Sequence, residues 1–488
     1  MDTPWQQTSK EASFLRSTLT TKGQFQSLNE FLAWFDSRRE ANRFVVEQIP
    51  FADMDQWYFA DDPYRLAHRS GKFFTVEGVR VRTNYGPVPA WDQPLINQPE
   101  IGILGIITKV FDGVRCFLMQ AKMEPGNVNT LQLSPTVQAT KSNYTQVHQG
   151  KLPLYLDYFI DRSKSKILVD QLQAEQGARF LRKRNRNMIV EVEGDVPAHD
   201  EFCWLTLGQI KQLLTIDNLV NMDARTVLSC IPFANVDWQH YYAAYPQDQA
   251  DHFDVFDYRL TGFAKDQFLS MLDRKPVCHS LDEIISWFTE LKTRYELDVT
   301  RIPLDEVRRW VHTDYEIRHE TGQYFSVIAV SVEAGNREVT RWTQPLLRHT
   351  NCGVAGFVTQ KLGGTLHFLV RASLEPGNLD VIDMGPTVAC SNAEERAKQP
   401  NPPPFLDLFL NAPPERIRYS AVQSEEGGRF YHFQNRYMIL ELEPDASIDV
   451  PEHFIWMTLG QIIAFTKYSY FNIEARNLLA CLSLLSEE

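Results

Sequence analysis

The chain has 488 residues, 43% of them hydrophobic, and its 49 basic and 62 acidic residues give a formal net charge of −13. A chain of this length can bury two hydrophobic cores. The acidic balance and the lack of a basic run argue against nucleic acid or an anionic membrane as a partner. An anionic small ligand is still compatible with this charge, because a few local arginines suffice to bind phosphate.

The sequence lacks signals for export, membrane insertion and metal binding. No stretch approaches the ~18 consecutive apolar residues of a membrane span, and the first residues, MDTPWQQTSKEASFLRS, have no apolar core typical of a secretory signal. The seven cysteines show no CxxC or metal-ligand spacing, which predicts free thiols and no metal site. Without a GxGxxG, P-loop, HExxH or GxSxG motif, no cofactor is expected. We therefore expect a reduced, soluble, cytoplasmic protein.

Nearly every motif occurs twice, about 250 residues apart, which indicates a duplicated domain. In chain order the repeated segments begin at Ser27 and Ser280, Trp91 and Trp342, Glu124 and Glu375, Pro135 and Pro386, and Trp204 and Trp456. The period is far too long for a solenoid or a propeller. We assign one repeat to residues 1–243 and the other to residues 244–488.

Each half is predicted to begin with a helix, to continue through strands and to end on helices. Ser27 with Glu30, and Ser280 with Glu283, have the spacing of a capping box, and apolar residues then recur at helical spacing. Strand-like segments such as GILGIITKV and RCFLMQAK follow, then the turn EPGN and another alternating strand, NMIVEVE. The predicted fold class is α+β with mixed sheets, used twice.

The closing helices of each half carry their own start signals, to which we assign a structural role. Capping boxes or caps followed by an acid are found at Thr206 with Gln209, Thr458 with Gln461, Asn221 with Asp223, and Asn472 with Glu474.

Strand alternation predicts a candidate site on one face of the strand that leads into EPGN. Gln120, Lys122 and Glu124 share a face if the strand continues. Arg371, Ser373 and Glu375 share the matching face in the second half. Such a polar face suits a cavity, and a solvated sheet surface is the alternative. A type II turn accounts for the Pro and Gly of EPGN but not for its glutamate. Glu124 and Glu375 are therefore candidates for acid/base catalysis.

Two further motif pairs are candidates for substrate binding. Trp91 with Gln93, and Trp342 with Gln344, pair an aromatic plate with an amide, which suits stacking on a base or sugar as well as a core position. Arg186 and Arg436, each preceded by Asn, begin an alternating strand and could clamp a phosphate.

The two halves differ after PTV and around EEGGRFYH. The first half adds Gln138, Lys141, Asn143, Tyr144 and His148, whereas the second half has Tyr431, His432 and Tyr437. Lys122 is matched by Ser373. Two related pockets with different linings are implied.

The segments WxQP, EPGN, PTVQATKSNYT, FLRKRNRNMIVEV, NLVNMDARTVLSC, EEGGRFYH and TLGQ resemble the NDP-hexose 2,3-dehydratase family over nearly the whole chain. The resemblance implies two tandem Nudix-like α/β/α domains in a homodimer that acts on dTDP-4-keto-6-deoxy-D-glucose. Neither half carries the Nudix box, so metal-dependent pyrophosphate hydrolysis is not implied. The second half also lacks the Gln and Asn-Tyr continuation after PTV, which leaves the competence of its pocket open.

The implied chemistry requires a base, a proton donor and a group that polarises the ketone. We assign Glu124 as base, Lys122 as stabiliser of the enolate oxygen and Tyr144 or His148 as proton donor. The rival set, in the second half, is Glu375, Tyr431, His432 and Arg371. We favour the first half narrowly.

The predicted substrate-binding residues span both halves: Trp91, Gln93, Gln120, Asn127, Gln138, Asn143, Asn185, Arg186, Trp342, Gln344, Arg371, Asn378, Arg429, Arg436 and Tyr437. No cofactor is expected, and a downstream NADPH-dependent 3-ketoreductase is expected as a partner. A nucleotide-sugar epimerase or isomerase and a non-catalytic nucleotide-sugar sensor are the alternatives.

Overall fold

The computed structural model describes residues 10–141, 153–233, 252–272, 277–335, 339–349 and 351–485. Its helices of five or more residues are Lys10–Thr18, Leu28–Ala41, Leu207–Leu213, Met222–Leu228, Gly262–Ser270, Leu281–Arg294, Ala393–Ala397, Leu406–Leu410, Leu459–Thr466 and Ile473–Cys481. The expected caps are confirmed, except that Ser27 accepts from the Glu30 amide without closing a full capping box, because the Glu30 carboxylate accepts from the Gln26 amide. Ser280 accepts from the Glu283 amide and closes a full capping box, as do Thr206 and Thr458 in the closing helices.

Each half contributes one large sheet of seven strands. The first large sheet contains Lys166–Ala174, Arg184–Glu191, Gly102–Phe111, Val114–Met123, Phe202–Thr206, Leu131–Ser134 and Val137–Ala139. The second contains Asp383–Gly385, Thr365–Ser373, Gly353–Leu362, Gln434–Leu442, Ile417–Ser424, Val388–Cys390 and Phe454–Thr458. In both, one central pair is parallel and the other pairs are antiparallel. The predicted α+β class with mixed sheets, repeated, is thereby confirmed.

Each half also has a small sheet, and the two small sheets exchange a strand. The first contains Trp57–Asp61, Tyr64–His68, Thr75–Thr83 and Ala90–Asn97, and it takes Leu297–Ile302 from the second half. The second contains Trp310–His312, Glu316–His319, Ser326–Ala334, Arg341–Arg348 and Phe430–Tyr431, and it takes Phe44–Ile49 from the first half. The strand that follows each opening helix thus pairs with the opposite half. A short hairpin, His252–Val255 with Tyr258–Thr261, precedes the helix Leu281–Arg294 of the second half in sequence.

The hydrophobic core also crosses the repeat boundary. Ala480 and Cys481 pack in the core of the first large sheet, and Leu15 packs in the core of the second. Residues 234–251 lie outside the described ranges, so the division at residue 243 stays a prediction. The two halves are nevertheless interlaced, because strands and core residues of each complete the other.

Two equivalent buried arginines join the closing helices to the opposite half. Arg225 is fully buried and donates to the carbonyl of Ser424 at 2.7 Å, and Arg476 is fully buried and donates to the carbonyl of Ala174. Burial of a guanidinium is costly unless its donors find acceptors, and these acceptors belong to the opposite half, so the contacts hold the halves in one arrangement. Within the described residues, no helix combines the length and apolarity needed to cross a membrane.

Candidate active site

The two EPGN turns pack against glycine-containing loops of the opposite half. The amide of Gly126 donates to the carbonyl of Gly427 at 2.8 Å, and the amide of Gly377 donates to the carbonyl of Gly177 at 2.7 Å. A Cβ on Gly126 would lie 1.6 Å from the carbonyl oxygen of Phe430, so only glycine fits the turn. Two composite centres result. The first centre joins the Glu124 turn to loop 425–429, and the second joins the Glu375 turn to loop 175–179.

Four side chains of the first half converge in the first centre. Lys122 Nζ lies 3.0 Å from Glu124 Oε1 and donates to Gln138 Oε1 at 2.5 Å. The Gln138 amide donates to Glu124 Oε1 at 3.4 Å and also to Asp223 Oδ2. Side-chain exposure is 13% for Lys122 and 7% for Glu124, so water screens this ion pair weakly. One amide therefore bridges two carboxyl groups, of which one is paired with an ammonium.

The two carboxyl groups of the first centre have different environments. Burial raises the pKa of Asp223 to about 8, the nearby carboxyls of Glu426 and Glu124 act in the same direction, and Lys122 opposes them. Asp223 is therefore protonated at neutral pH and can donate a proton. Glu124, beside the Lys122 ammonium, is suited to act as a base. Separation of two carboxyls into an acid and a base is typical of catalytic sites.

The second centre lacks this arrangement. Ser373 and Ala389 occupy the positions of Lys122 and Gln138. Glu375 Oε2 accepts from the Ala178 amide at 2.9 Å and so holds the opposite loop. Burial raises the pKa of Glu375, and the Arg179 guanidinium opposes this shift. We interpret Glu375 as a structural clasp between the halves.

A cavity of about 400 Å³ opens beside the first centre. Its lining includes Gln120, Lys122, Leu154, His199, Glu201 and Phe202. This volume is within the usual range for small-molecule sites. Gln120 and Lys122 of the predicted polar face border this cavity, and so do Ala121 and Met123 of the opposite strand face.

The WxQ elements tie the small sheets to the two loops. The Trp91 indole donates to Gln93 Oε1 at 2.8 Å, and the Gln93 amide donates to the carbonyl of Ala178 at 3.1 Å. In the second half the Trp342 indole donates to Gln344 Oε1 at 2.9 Å, and Gln344 donates to the Gly428 carbonyl at 2.9 Å. These contacts give the motif a supporting role, and its predicted contact with substrate stays untested.

The predicted arginine clamps lie on strands next to the edge of the large sheets, Arg186 on Arg184–Glu191 and Arg436 on Gln434–Leu442. Arg186 forms a bidentate pair with Asp170 at 2.6 and 2.7 Å, and exposed Arg436 reaches Ser420 at 3.4 Å. Asn185, beside Arg186, donates to Glu175 at 2.8 Å. A phosphate would have to displace the bond to Asp170, so the clamp stays a prediction without structural support.

Four other predicted binding residues lie in the loops and turns of the centres or, for Arg371, on the strand Thr365–Ser373 that leads to the Glu375 turn. Asn127 is buried and donates to the Thr130 carbonyl at 3.1 Å, and Asn378 is buried in the equivalent turn. Arg429 donates to Gln98 at 3.2 Å, and Arg371 donates to the Tyr85 hydroxyl at 3.2 Å. Tyr437, also predicted to bind substrate, is fully buried and donates to Glu425 at 2.8 Å.

The rival catalytic set of the second half is divided between the two centres: Arg371 interacts with Glu375 at the second, whereas Tyr431 and His432 lie by the turn of the first. The backbone of His432 bonds to the Gly126 carbonyl of the first half at 2.8 Å, whereas Glu375 bonds to Ala178 at the other centre. Tyr431 and His432 stack on each other at 4.0 Å. The loops cross between halves, which linear order does not reveal. Asn143, Tyr144 and His148 lie outside the described residues.

Sequence reasoning missed Asp223 and Glu426. Asp223 follows the helix cap Asn221, whose side chain accepts from the Ala224 amide as expected. That cap explains Asn221 but not the inward carboxyl of Asp223. A signal was available for Glu426, because its counterpart in the other copy is the neutral Gln176. In the described part of the chain, no group of three or more His, Cys, Asp or Glu side chains is placed to hold a metal ion.

Two interlaced copies of one α+β unit, with a buried acid and base in one of two centres and a cavity at the Lys122 of that centre, define a duplicated protein with an enzyme-like site. The family model described as NDP-hexose 2,3-dehydratase matches residues 28–231 and 281–482. The chain therefore belongs to the NDP-hexose 2,3-dehydratase family.

Three relatives are each named dTDP-4-dehydro-6-deoxy-alpha-D-glucopyranose 2,3-dehydratase. The protein of Saccharopolyspora spinosa is 48% identical over 97% of this chain and 94% of its own length. The protein of Amycolatopsis orientalis is 45% identical over 96% of this chain and 92% of its own length. The protein of Streptomyces violaceoruber is 43% identical over 94% of this chain and 97% of its own length. A solved Ap4A hydrolase of C. elegans shares 16% identity over 27% of this chain and 94% of its own, at a TM-score of 0.18, which is too low to assign a fold or an activity.

Proposed function

We propose that this protein is a dTDP-4-keto-6-deoxy-D-glucose 2,3-dehydratase whose chemistry takes place in the first centre. The observation that carries the proposal is the Lys122–Glu124–Gln138–Asp223 constellation beside the cavity. It supplies a base, a cation and a protonated acid in one cluster, whose Lys122 borders the cavity. The names of the relatives support the substrate and the reaction.

The first step is removal of the carbon-3 proton. This proton is acidic because the adjacent 4-keto group can accept the electron pair. Glu124 takes the proton, and the negative charge moves to the carbon-4 oxygen as an enolate. The Lys122 ammonium, which the Gln138 carbonyl holds at 2.5 Å, stabilises that oxygen. A preorganised cation at a developing oxyanion contributes about 10²- to 10³-fold in rate.

The second step is loss of the 2-hydroxyl. The enolate electrons re-form the carbon-4 ketone, a double bond forms between carbons 2 and 3, and the carbon–oxygen bond at carbon 2 breaks. Asp223, protonated at neutral pH, gives its proton to the leaving hydroxyl, which departs as water. The remaining enol tautomerises to the 3,4-diketo-2,6-dideoxy sugar. Tyr144 and His148 stay the alternative proton donors.

The test compares two equivalent variants, Glu124→Gln and Glu375→Gln. Each is incubated with dTDP-4-keto-6-deoxy-D-glucose, a 3-ketoreductase and NADPH, and the mass of the product is measured. Wild type and Glu375→Gln should yield a product lacking one oxygen, whereas Glu124→Gln should not. The reverse result would place the chemistry in the second centre.

Two other outcomes would overturn the dehydratase assignment. A product that keeps all its oxygens would indicate epimerisation or isomerisation through the same enolate. Unchanged substrate with measurable binding would indicate a nucleotide-sugar sensor.

The homodimer, the cytoplasmic location and the ketoreductase partner also belong to this proposal. A vicinal diketone is reactive, so an enzyme that reduces it at carbon 3 is the chemically expected successor. Light scattering at several protein concentrations would test the dimer.

A further inference from the structure

Gln138 and Ala389 occupy equivalent positions in the two large sheets. Each is the middle residue of a three-residue strand that pairs antiparallel with a long strand of its sheet. Two residues earlier, Thr136 in one copy and Thr387 in the other accept from a backbone amide at 2.9 Å. The backbone is therefore alike at the two positions, and the difference between them is the side chain.

The side-chain amide of Gln138 fits its neighbours in one orientation. Its carbonyl oxygen accepts from the Lys122 ammonium at 2.5 Å. Its nitrogen donates to Glu124 Oε1 at 3.4 Å and to Asp223 Oδ2. An ammonium only donates hydrogen bonds and an ionised carboxylate only accepts them, so an amide turned the other way would set donor against donor and acceptor against acceptor. One neutral side chain thus joins a cation and two carboxyl groups.

Gln138 is linked to the cavity through Lys122. Of the described residues, Lys122 lines the cavity and Gln138 does not. Gln138 is half-buried, and its amide is directed to the charged side chains of the first centre. The direct contact with substrate that the sequence predicts for Gln138 is the alternative to a role through these neighbours.

We propose that Gln138 is a positioning residue whose single amide group holds the Lys122 ammonium at the cavity and fixes Glu124 and Asp223 beside it. This inference rests on the proposed function. In the second centre the side chain of Ala389 is too short and too apolar to make such contacts, and Ser373 replaces the lysine. The amide and the cation that it holds are thus missing together.

Loss of the amide should also change how the two carboxyl groups bind protons. A hydrogen bond donated to the ionised form of a carboxyl favours that form. Burial above all, then the carboxyls of Glu426 and Glu124, raise the pKa of Asp223, and Lys122 and the Gln138 amide lower it. Glu175 is a further charged group that interacts with Asp223. Without the amide, both Glu124 and Asp223 should keep their protons to higher pH.

The test compares Gln138→Ala with the reciprocal variant Ala389→Gln. Alanine is compatible with this strand, because Ala389 occupies the equivalent position, and glutamine fits at residue 389, which is exposed. In the assay with the 3-ketoreductase and NADPH, kcat of Gln138→Ala should fall about 10- to 100-fold because catalytic groups are misplaced, while KM should change little. Both limbs of the pH profile of kcat/KM should move up by about half a unit. Ala389→Gln should match wild type.

The conservative variant Gln138→Asn keeps the amide on a shorter chain and should recover part of the lost rate. A raised KM with unchanged kcat and unmoved limbs would show that Gln138 contacts the substrate and would overturn the inference. A folded Gln138→Ala protein with a lower kcat but both limbs in place would also overturn it, because a general loss of structure lowers the profile without moving it. Failure of wild type to form a product lacking one oxygen would instead overturn the proposed function.

Discussion

Replacement of Arg225 by methionine tests whether buried contacts between the halves stabilise the fold. Arg225 is fully buried and donates at 2.7 Å to two backbone carbonyls, those of Val220 in its own half and Ser424 in the other. It also lies over the ring of Tyr437 at 5.3 Å. Methionine keeps much of the volume but satisfies neither carbonyl.

The expected loss follows from these contacts. Hydrogen bonds to a charged donor contribute about 1.5–3 kcal/mol each, and a buried acceptor left unsatisfied costs about 1–3 kcal/mol. We expect Arg225→Met to lower the free energy of unfolding by about 3–5 kcal/mol. The control is Arg186→Met, which removes a half-exposed pair with Asp170 and should cost no more than about 1 kcal/mol.

Urea unfolding followed by tryptophan fluorescence and by far-ultraviolet circular dichroism measures both variants. Because the cores are interlaced, both probes should shift to lower urea together in Arg225→Met. A variant whose unfolding free energy stays within about 1 kcal/mol of wild type, or matches that of Arg186→Met, would refute the reasoning.

Three further predictions concern the first centre. Gly428→Ala places a methyl group at ordinary contact distance from Glu124, so the fold should persist while kcat/KM falls about 100-fold because the substrate is misplaced. The control, Ala178→Gly, makes the reverse change in the second centre and should stay active. Equal losses of kcat/KM in the two variants would contradict this view. Lys122→Met should lower kcat by about 10²- to 10³-fold in the coupled assay, and a near-normal rate would exclude Lys122 as stabiliser of the enolate. For Asp223 the folded state raises the pKa to about 8, so the stability it contributes is present below about pH 4 and is lost as the pH rises towards 8. The Tm of Asp223→Asn should therefore fall less than that of wild type between about pH 5 and pH 8, and parallel curves would show that the carboxyl titrates normally.

Local patterns in the sequence predicted the duplication, the helix starts and the shared face of Gln120 and Lys122. Capping and strand alternation involve neighbours only a few residues apart, so they can be predicted without tertiary structure. The differences between the copies, above all Lys122 against Ser373 and Gln138 against Ala389, also favoured the first half as the catalytic one, which stays a prediction.

Only the tertiary structure decided which distant residues complete each centre. Glu124 meets loop 425–429, and Glu375 meets loop 175–179, because the small sheets exchange strands and the EPGN glycines admit the opposite backbone. For this reason His432 lies beside the first-half turn and not beside Glu375. The raised pKa values of Asp223 and Glu426 depend on the same packing, because burial of a carboxyl group beside other carboxyls favours its protonated form, and sequence spacing does not determine that burial.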